Sequence, residues 1–213
     1  MLHTSMLRQA PVPARAPGLP GDHEAEDFAC MLIASRQSVS PKRLVEPGPD
    51  AAQLERILSA AAAAPDHGEI TPWRFVIVPQ DKRALLAEVF ALALIDRDAC
   101  ATLEQIESAR EKAHRAPLLM LAVAQLGRSE PDIPAEERLV SLGCALQNML
   151  LAAHAMGYGA GLTSGQAMTS PRLRELFALA ESERAVCCIN VGSVTKRRPL
   201  RSRPAPAAIF SAL

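Results

Sequence analysis

The sequence predicts one α+β layer domain, in residues 22–213, behind a short arm. A chain of 213 residues with 49% hydrophobic and 22% charged residues has the length and composition of one globular domain. Segments with helical periodicity outnumber strand-like segments, and the two kinds do not alternate regularly, which favours helices layered on a sheet. Residues 1–21 contain four prolines and few large apolar residues, so we predict a flexible proline-rich arm there.

Two helices are predicted in the first third of the domain. Carboxylates from Asp22 onward mark a helix start, since they favour the positive end of the helix dipole, and the helix extends to about Ser35. Asp50 and Gln53 have the spacing of a capping box. The second helix therefore begins there and continues through an alanine run to Ala64, where a proline ends it.

The middle of the chain has two strand-like runs separated by helical patterns. Residues 73–78 are rich in strand formers, and the continuous apolar run 118–124 is typical of a strand buried on both faces. Between them, Asp81 is positioned to cap an apolar helix over 82–95, and a charged helix is predicted around 99–114.

The longest helical pattern begins at Pro134 and ends at Gly157. Its apolar stripe repeats at steps of three and four residues: Leu139, Leu142, Leu146, Met149, Leu150 and Ala153. The stripe suits a core helix, and the small residues Gly143, Cys144 and Ala145 among it equally suit close packing against a second subunit. Ser170 and Pro171 then begin a short helix, and residues 185–191 form a last buried strand.

Composition excludes several classes of partner and compartment. The 23 basic and 23 acidic residues balance, so no overall field attracts nucleic acid or a membrane surface. No apolar run is long enough to span a membrane, and the amino terminus lacks the apolar segment of a secretory signal. Five cysteines without a metal or redox spacing predict small buried side chains in a reducing, cytoplasmic protein.

Familiar catalytic and metal motifs are missing from the sequence. It has no glycine-rich dinucleotide loop, phosphate loop, zinc-binding histidine pair or serine nucleophile elbow. We therefore name no metal ligand. His67 is a lone loop histidine, and such residues more often serve as surface or hydrogen-bonding groups. Residues 196–203 (KRRPLRSR) depart from the overall balance of charge, because they include five basic residues and no acidic one. This basic patch suits a phosphate.

Four stretches in order resemble the FMN-dependent nitroreductase family, especially its small NAD(P)H nitroreductase branch. They are residues 33–40 (IASRQSVS), 63–75, 157–165 (GYGAGLTSG), and 189–192 with the basic residues behind them. The similar region covers about residues 26–204. The resemblance implies a central mixed or antiparallel sheet flanked by helices, in an intertwined homodimer with FMN at the subunit interface.

The resemblance also assigns the phosphate end of the cofactor. It places Arg36, Gln37 and Ser38 against the FMN phosphate, where an arginine is a rigid, permanently charged donor. Gln37 stands where the family has a second arginine, so one charge is missing. Lys196 and Arg197, or Arg198 beside them, are the candidates to supply it. The bottom-up alternatives are a solvated arginine at the helix end and a solvated basic tail.

Further contacts with the flavin are implied around its ring. The resemblance assigns Leu162, Thr163 and Ser164 to the ring and ribityl chain. The simpler interpretation of these residues is a helix cap followed by a loop. It brings His67 to the flavin from the second subunit. Ala63 replaces an arginine near the cofactor and leaves only backbone there. Thr71 stands where the family has a Gln or Asn. Trp73 is either a residue that stacks on the flavin ring or, as we prefer, a core aromatic.

The activity implied is hydride transfer from NADH or NADPH through FMN to a nitroaromatic or quinone, with ping-pong kinetics. The protein's part is to hold the ring, tune it and leave one face open, so no side chain is named as catalytic. A lid within 92–115 shapes the pocket and has no readable chemistry of its own. The alternatives are a flavin-binding sensor or storage protein without turnover, a related flavin chemistry on the same scaffold, and a cofactor-free interaction protein.

Overall fold

The first helix matches its predicted bounds. The computed structural model describes residues 22–127, 132–196, 199 and 202–212. The chain divides into two units, residues 1–34 and 35–213, and helix α1 (Asp22–Ser35) supplies the described part of the first. Its bounds confirm the helix predicted from the acidic start. The predicted arm, residues 1–21, lies outside the described residues.

The second unit is built from five further helices and five strands within the described residues. The helices are α2 (Ala51–Ala62), α3 (Arg83–Arg97), α4 (Leu103–Glu111), α5 (Ala135–Ala155) and α6 (Pro171–Leu176). The strands are β1 (Leu44–Val45), β2 (Trp73–Ile77), β3 (Leu118–Gln125), β4 (Gly159–Thr163) and β5 (Glu183–Val194). All but β1 and β4 were predicted as such, so the α+β class is confirmed.

The long strand β5 organises the sheet. The order is β1-β5-β3-β2, and β4 also pairs with β5. Every one of these pairings is antiparallel. Gly159 lies opposite Gly192 and Leu44 lies opposite Val194, so β4 and β1 follow one another along the same edge of β5. A parallel bridge between Ser38 and Ala160 adds the segment after α1 to the outer edge of β4.

Helices cover both faces of this sheet because β3 is apolar on both sides. Its even-numbered residues, such as Met120 and Ala122, pack into the cluster formed with α2 and α5. Its odd-numbered residues, such as Leu119 and Leu121, pack into the cluster formed with α3 and α6. All four side chains are at most 2% exposed. The continuous apolar run thus reflects burial on two faces, as predicted.

Helix starts show where local sequence signals decide and where they do not. Asp50 Oδ1 accepts from the Gln53 amide at 2.8 Å, and Gln53 Oε1 accepts from the Asp50 amide at 2.9 Å, which confirms the capping box. The prediction for Asp81 was wrong, because Lys82 occupies the N-cap of α3 without a side-chain cap bond. Pro79 starts a short 3-10 turn (Gln80–Lys82) that places Asp81 inside the turn, one residue too early to cap the helix.

Two predictions around α5 were also wrong in part. Leu139 is 38% exposed, whereas the other members of the stripe are buried, because it lies outside the sector that faces the sheet and α2. Residues after Gly157 were interpreted as a turn and loop, and they form β4. A Cβ on Gly161 would lie 2.3 Å from the Val39 carbonyl oxygen, so glycine is required by the close approach of the neighbouring segment.

Candidate functional site

The residues after α1 are fixed beside β4 and the end of α5. The Val39 amide donates to the Ala160 carbonyl at 2.9 Å, next to the Ser38–Ala160 bridge. On the other side of the segment, Ser35 Oγ and His154 Nε2 are hydrogen-bonded at 2.8 Å. The predicted binding segment Arg36–Ser38 is therefore held from both sides by backbone and side-chain bonds.

The basic tail returns to this same segment after the last strand. Arg203 Nη2 donates to the Arg36 carbonyl oxygen at 2.7 Å, and Gln37 Nε2 donates to the Pro199 carbonyl at 3.2 Å. Nearer the strand, Arg43 Nη2 donates to the Lys196 carbonyl. The structure thus brings the tail against Arg36–Ser38, the two groups that sequence reasoning paired.

One cation at this place was not singled out from the sequence. The candidates were Lys196, Arg197 and Arg198, of which Arg197 and Arg198 lie outside the described residues. Among the described residues of the tail, Arg203 contacts Arg36, further along the same basic stretch. The only signal in the sequence was the density of basic residues over 196–203, which does not identify the one that folds back.

A cavity of about 320 Å³ opens beyond Ser40, on the face of the sheet covered by α3 and α4. Two predicted residues, Thr163 and Ser164, line it where β4 ends, whereas Leu162 is not among its lining residues and is 41% exposed. The apolar part of the lining comes from α3, β3 and the turn after β4: Phe90, Leu94, Leu119, Ala167 and Met168. Part of the cavity wall is therefore apolar, and hydroxyl groups line it where β4 ends.

Asn190 organises the wall of the cavity from within. Asn190 lies on β5 and is only 1% exposed. Nδ2 donates to Thr163 Oγ1 at 3.0 Å and lies 3.3 Å from the carbonyl oxygens of Gly161 and Cys188. These bonds tie the end of β4 to β5 and fix the Thr163 hydroxyl, so a buried amide sets the position of a cavity-lining group.

The cavity-lining thiol of Cys188 is not a nucleophile. Burial raises the pKa of Cys188 to about 12, and the adjacent Cys187 thiol adds to the increase. The thiol therefore remains protonated at neutral pH, and a protonated thiol is a poor nucleophile. The expectation of buried cysteines is confirmed for this pair, whereas Cys30 and Cys100 are exposed.

His67 lies far from Arg36 within one chain. His67 Nδ1 is 2.5 Å from Glu137 Oε2, at the amino end of α5, whereas Arg36 follows the Ser35–His154 bond at the other end. The 17 residues from Glu137 to His154 span about 25 Å of helix. Ala63 is exposed at the C-cap of α2, in the loop that leads to His67. The chain's own His67 and the Arg36 segment are therefore separate.

The loop between α2 and β2 has strained backbone. Thr71 has a φ of +44°, a left-handed conformation that is unfavourable for a β-branched residue. Its amide donates to Asp66 Oδ2 at 2.5 Å, which helps to hold that conformation. Trp73 follows and is 9% exposed within the core cluster, so the interpretation of Trp73 as a core aromatic is confirmed.

The predicted lid contributes three cations to the cavity. Arg97, Lys112 and Arg115 all line it, together with Leu94 and Ala109 from the same 92–115 stretch. The sequence showed no chemistry here because Arg97 and Lys112 are separated by a whole helix. The packing of α3 against α4 brings them to one cavity, which no local pattern predicts.

Comparison with known proteins gives the family. A model described as the nitroreductase family matches residues 33–193, which include the Arg36 segment, the cavity and most of β5. The chain belongs to the nitroreductase family. Within it, the chain is 33% identical over 165 residues to a "Putative NAD(P)H nitroreductase" of Haemophilus influenzae, covering 78% of this chain and 88% of that protein. It is 34% identical over 168 residues to the "Putative NAD(P)H nitroreductase YdjA" of Escherichia coli K12, covering 78% and 87%.

Solved structures confirm the nitroreductase fold. A nitroreductase-like family protein from Bacillus cereus superposes with a TM-score of 0.74 at 17% identity, covering 86% of this chain and 95% of that one. A nitroreductase with bound FMN from Desulfitobacterium hafniense superposes with a TM-score of 0.61 at 18% identity, covering 85% and 96%. Among the described residues, no helix of this nitroreductase-family chain is both long and apolar enough to cross a membrane.

Proposed function

We propose that the protein is an FMN-dependent NAD(P)H oxidoreductase that reduces nitroaromatic or quinone acceptors by a ping-pong mechanism. The observation that carries the proposal is the bond from Arg203 to the Arg36 carbonyl, which holds two arginines at the edge of β4. Fixed arginines beside a hydroxyl-bearing segment are typical of a phosphate site. The relatives named as NAD(P)H nitroreductases and the FMN-bound fold relative support the same conclusion.

The residues present fit FMN from one end to the other. Arg36 and Arg203, with Lys196 nearby, would hold the phosphate, and the exposed Ser38 hydroxyl would hydrogen-bond to phosphate or ribityl oxygens. Along the backbone, Ser40 follows at most about 13 Å beyond Arg36. There the apolar cavity begins, with Thr163 and Ser164 on its wall. A charged end followed by an apolar pocket matches a molecule with a phosphate at one end and a ring at the other.

The side chains bind and position, and they carry out no proton transfer of their own. When bound, FMN supplies the two-electron transfer between NAD(P)H and the acceptor. Asn190 fixes Thr163 from the buried side, and the apolar lining keeps water away from the reacting faces.

The test is the absorbance of the purified protein before and after reductant. We expect yellow protein whose flavin absorbance bleaches when NADH or NADPH is added anaerobically and returns when a nitroaromatic or quinone is added. Flavin that never bleaches would indicate binding without turnover. This alternative stands because Gln37 and Thr71 differ from the residues that the family has at these positions. Colourless protein that fails to quench FMN fluorescence on titration would exclude a flavin function altogether.

We also propose that the active unit is a homodimer in which His67 approaches the flavin held by the partner subunit. The separation of His67 from Arg36 along α5 supports an origin in another chain. The outer face of α5 has exposed apolar residues at Leu139 and Val140, and a Cβ on Gly143 would meet no atom within 4 Å. Exposed apolar surface of this kind marks an interaction site.

The dimer is tested by placing a bulky side chain on this face. Gly143→Trp should shift the protein to monomer in sedimentation equilibrium, and FMN affinity should fall with it because His67 is removed from the site. Leu103→Trp is the matched control, since Leu103 is 82% exposed on α4. If the wild-type protein sediments as a monomer and binds FMN in that state, the proposal is overturned.

A further inference from the structure

The cavity has a marked excess of positive charge. Three cations line it, from α3, from the turn after α4 and from the segment before β3: Arg97, Lys112 and Arg115. No aspartate or glutamate is among its described lining residues. We propose that these cations bind the anionic group, carboxylate or phosphate, of a small substrate that reaches the flavin ring through this cavity. This deepens the proposed function and rests on it.

Two carboxylates near the cavity are engaged with arginines that do not line it. Asp96, next to Arg97, accepts a two-pronged bond from Arg172 at 2.6 and 3.0 Å. Glu107 accepts from Arg110 at 2.6 Å. Within the described part of the chain, Arg97 and Lys112 form no ion pair. The local acids therefore do not neutralise these two cations.

Arg115 is the most enclosed of the three cations. Its side chain is 17% exposed, and Nη2 lies 3.4 Å from Glu111 Oε2 and 3.3 Å from the Ser108 carbonyl. Glu111 is 68% exposed, so this pair is long and largely solvated. Arg115 is thus positioned by weak bonds while retaining most of its positive field at the cavity.

The anion site is distinct from the phosphate end of the flavin. Arg203 contacts Arg36, whereas the cavity lining begins four residues later, at Ser40, and includes neither arginine. Apolar side chains such as Phe90 and Leu119 line the cavity together with the cations. A flat ring that carries an anionic substituent matches this arrangement of apolar interior and cationic lining. Its source is either an acidic acceptor or the 2′-phosphate of NADPH.

The test compares charged and neutral partners on the FMN-loaded protein. We expect Arg97→Met/Lys112→Met to lower the ratio of kcat/KM for 4-nitrobenzoate over 4-nitrobenzamide by about tenfold, since charge-assisted bonds to the carboxylate are lost. If the anion belongs to the reductant, the ratio for NADPH over NADH falls instead. Lys82→Met is the matched control. Lys82 is also exposed, and about 22 Å of α3 separates it from Arg97.

Either selective fall supports the site, and its effect must weaken with added salt. Ratios that stay at the wild-type value in the double variant would overturn the proposal. Binding without turnover separates this result from a failure of the proposed function. Calorimetric titration of benzoate against benzamide, and of NADP⁺ against NAD⁺, requires no flavin reduction, and equal affinities within both pairs in the wild-type protein would also overturn the anion site.

Discussion

Arg203 donates a hydrogen bond from Nη2 to the backbone carbonyl oxygen of Arg36, across 2.7 Å. The contact uses the backbone of Arg36, so it fixes the Arg203 guanidinium against the main chain that carries the Arg36 side chain. Nε and Nη1 of Arg36 are shielded from solvent. A charge in a shielded place interacts more strongly with a bound anion than one in open water. The phosphate end of the site should therefore depend on Arg36 more than on its polar neighbours.

Arg36→Ala should weaken FMN binding far more than Gln37→Ala. Hydrogen bonds to charged groups contribute about 1.5–3 kcal/mol and neutral ones about 0.5–1.5 kcal/mol. We therefore expect a loss of affinity of roughly tenfold to a hundredfold for Arg36→Ala, and less than about tenfold for Gln37→Ala. Fluorescence quenching during titration of the apoproteins with FMN measures both.

Thermal unfolding of the two apoproteins is the control, because a general loss of folding would lower FMN binding without involving the phosphate. Arg203→Ala should fall between the two variants, since it removes one charge and releases the tail. Equal affinities for Arg36→Ala and Gln37→Ala would mean that the phosphate binds elsewhere.

Gly161→Ala should detach the Arg36 segment from β4. The added Cβ would lie 2.3 Å from the Val39 carbonyl oxygen, well inside contact distance, so the two backbones must separate. The bond from the Val39 amide to Ala160 then weakens. We expect amide hydrogen exchange at Val39 to accelerate by at least about tenfold, corresponding to roughly 1.4 kcal/mol of lost protection, with a parallel loss of FMN affinity.

The matched control adds the same methyl group where there is room for it. A Cβ on Gly143 would meet no atom within 4 Å, and Gly143 lies on α5, away from Val39. Gly143→Ala should leave exchange at Val39 unchanged. If both variants protect Val39 as the wild-type protein does, the close approach at Gly161 does not hold the segment.

Most of the fold was predictable because its signals are local. The capping box at Asp50 decides the start of α2 through two bonds within four residues, and the apolar run 118–124 can only be a strand covered on both faces. Strand β4 was not predictable, because glycines have low strand propensity and its pairing with β5 is decided by distant residues.

The candidate site divides in the same way. Arg36 and Ser38 stand in a recognisable order, so the sequence indicates them. Arg203 and the pair Arg97 and Lys112 acquire a role only when the tail folds back and α3 packs against α4. Electrostatic sites assembled from separate elements leave no spacing in the sequence, which is why the lid had no readable chemistry.

Thr71→Asn should stabilise the protein. Thr71 has a φ of +44°, and asparagine tolerates this left-handed conformation better than a β-branched residue. Removing the strain should raise the free energy of unfolding by about 1 kcal/mol, measured by urea denaturation of the apoprotein. Thr169→Asn, at an exposed site after β4, is the control for the change in side chain. If Thr71→Asn is less stable than the wild-type protein, the Thr71 hydroxyl or methyl group contributes more to stability than the strained backbone costs.

Stability should decline at alkaline pH because of the buried thiols. Burial raises the pKa of Cys187 from 9.0 to about 11, so the folded protein keeps this thiol protonated while the unfolded chain ionises it. The contribution to stability is complete below pH 9 and is lost as the pH rises toward 11. For this one thiol the loss amounts to about 2–3 kcal/mol. Urea unfolding between pH 8 and 10.5 measures the decline.

Cys187→Ala should lower the stability at pH 8, because it leaves a small cavity, and it should also make the alkaline decline shallower. The slope against pH is therefore the readout, and the absolute stability is not. Cys30→Ala is the matched control, since Cys30 is exposed on α1. An alkaline slope for Cys187→Ala as steep as that of the wild-type protein would assign the decline to other groups.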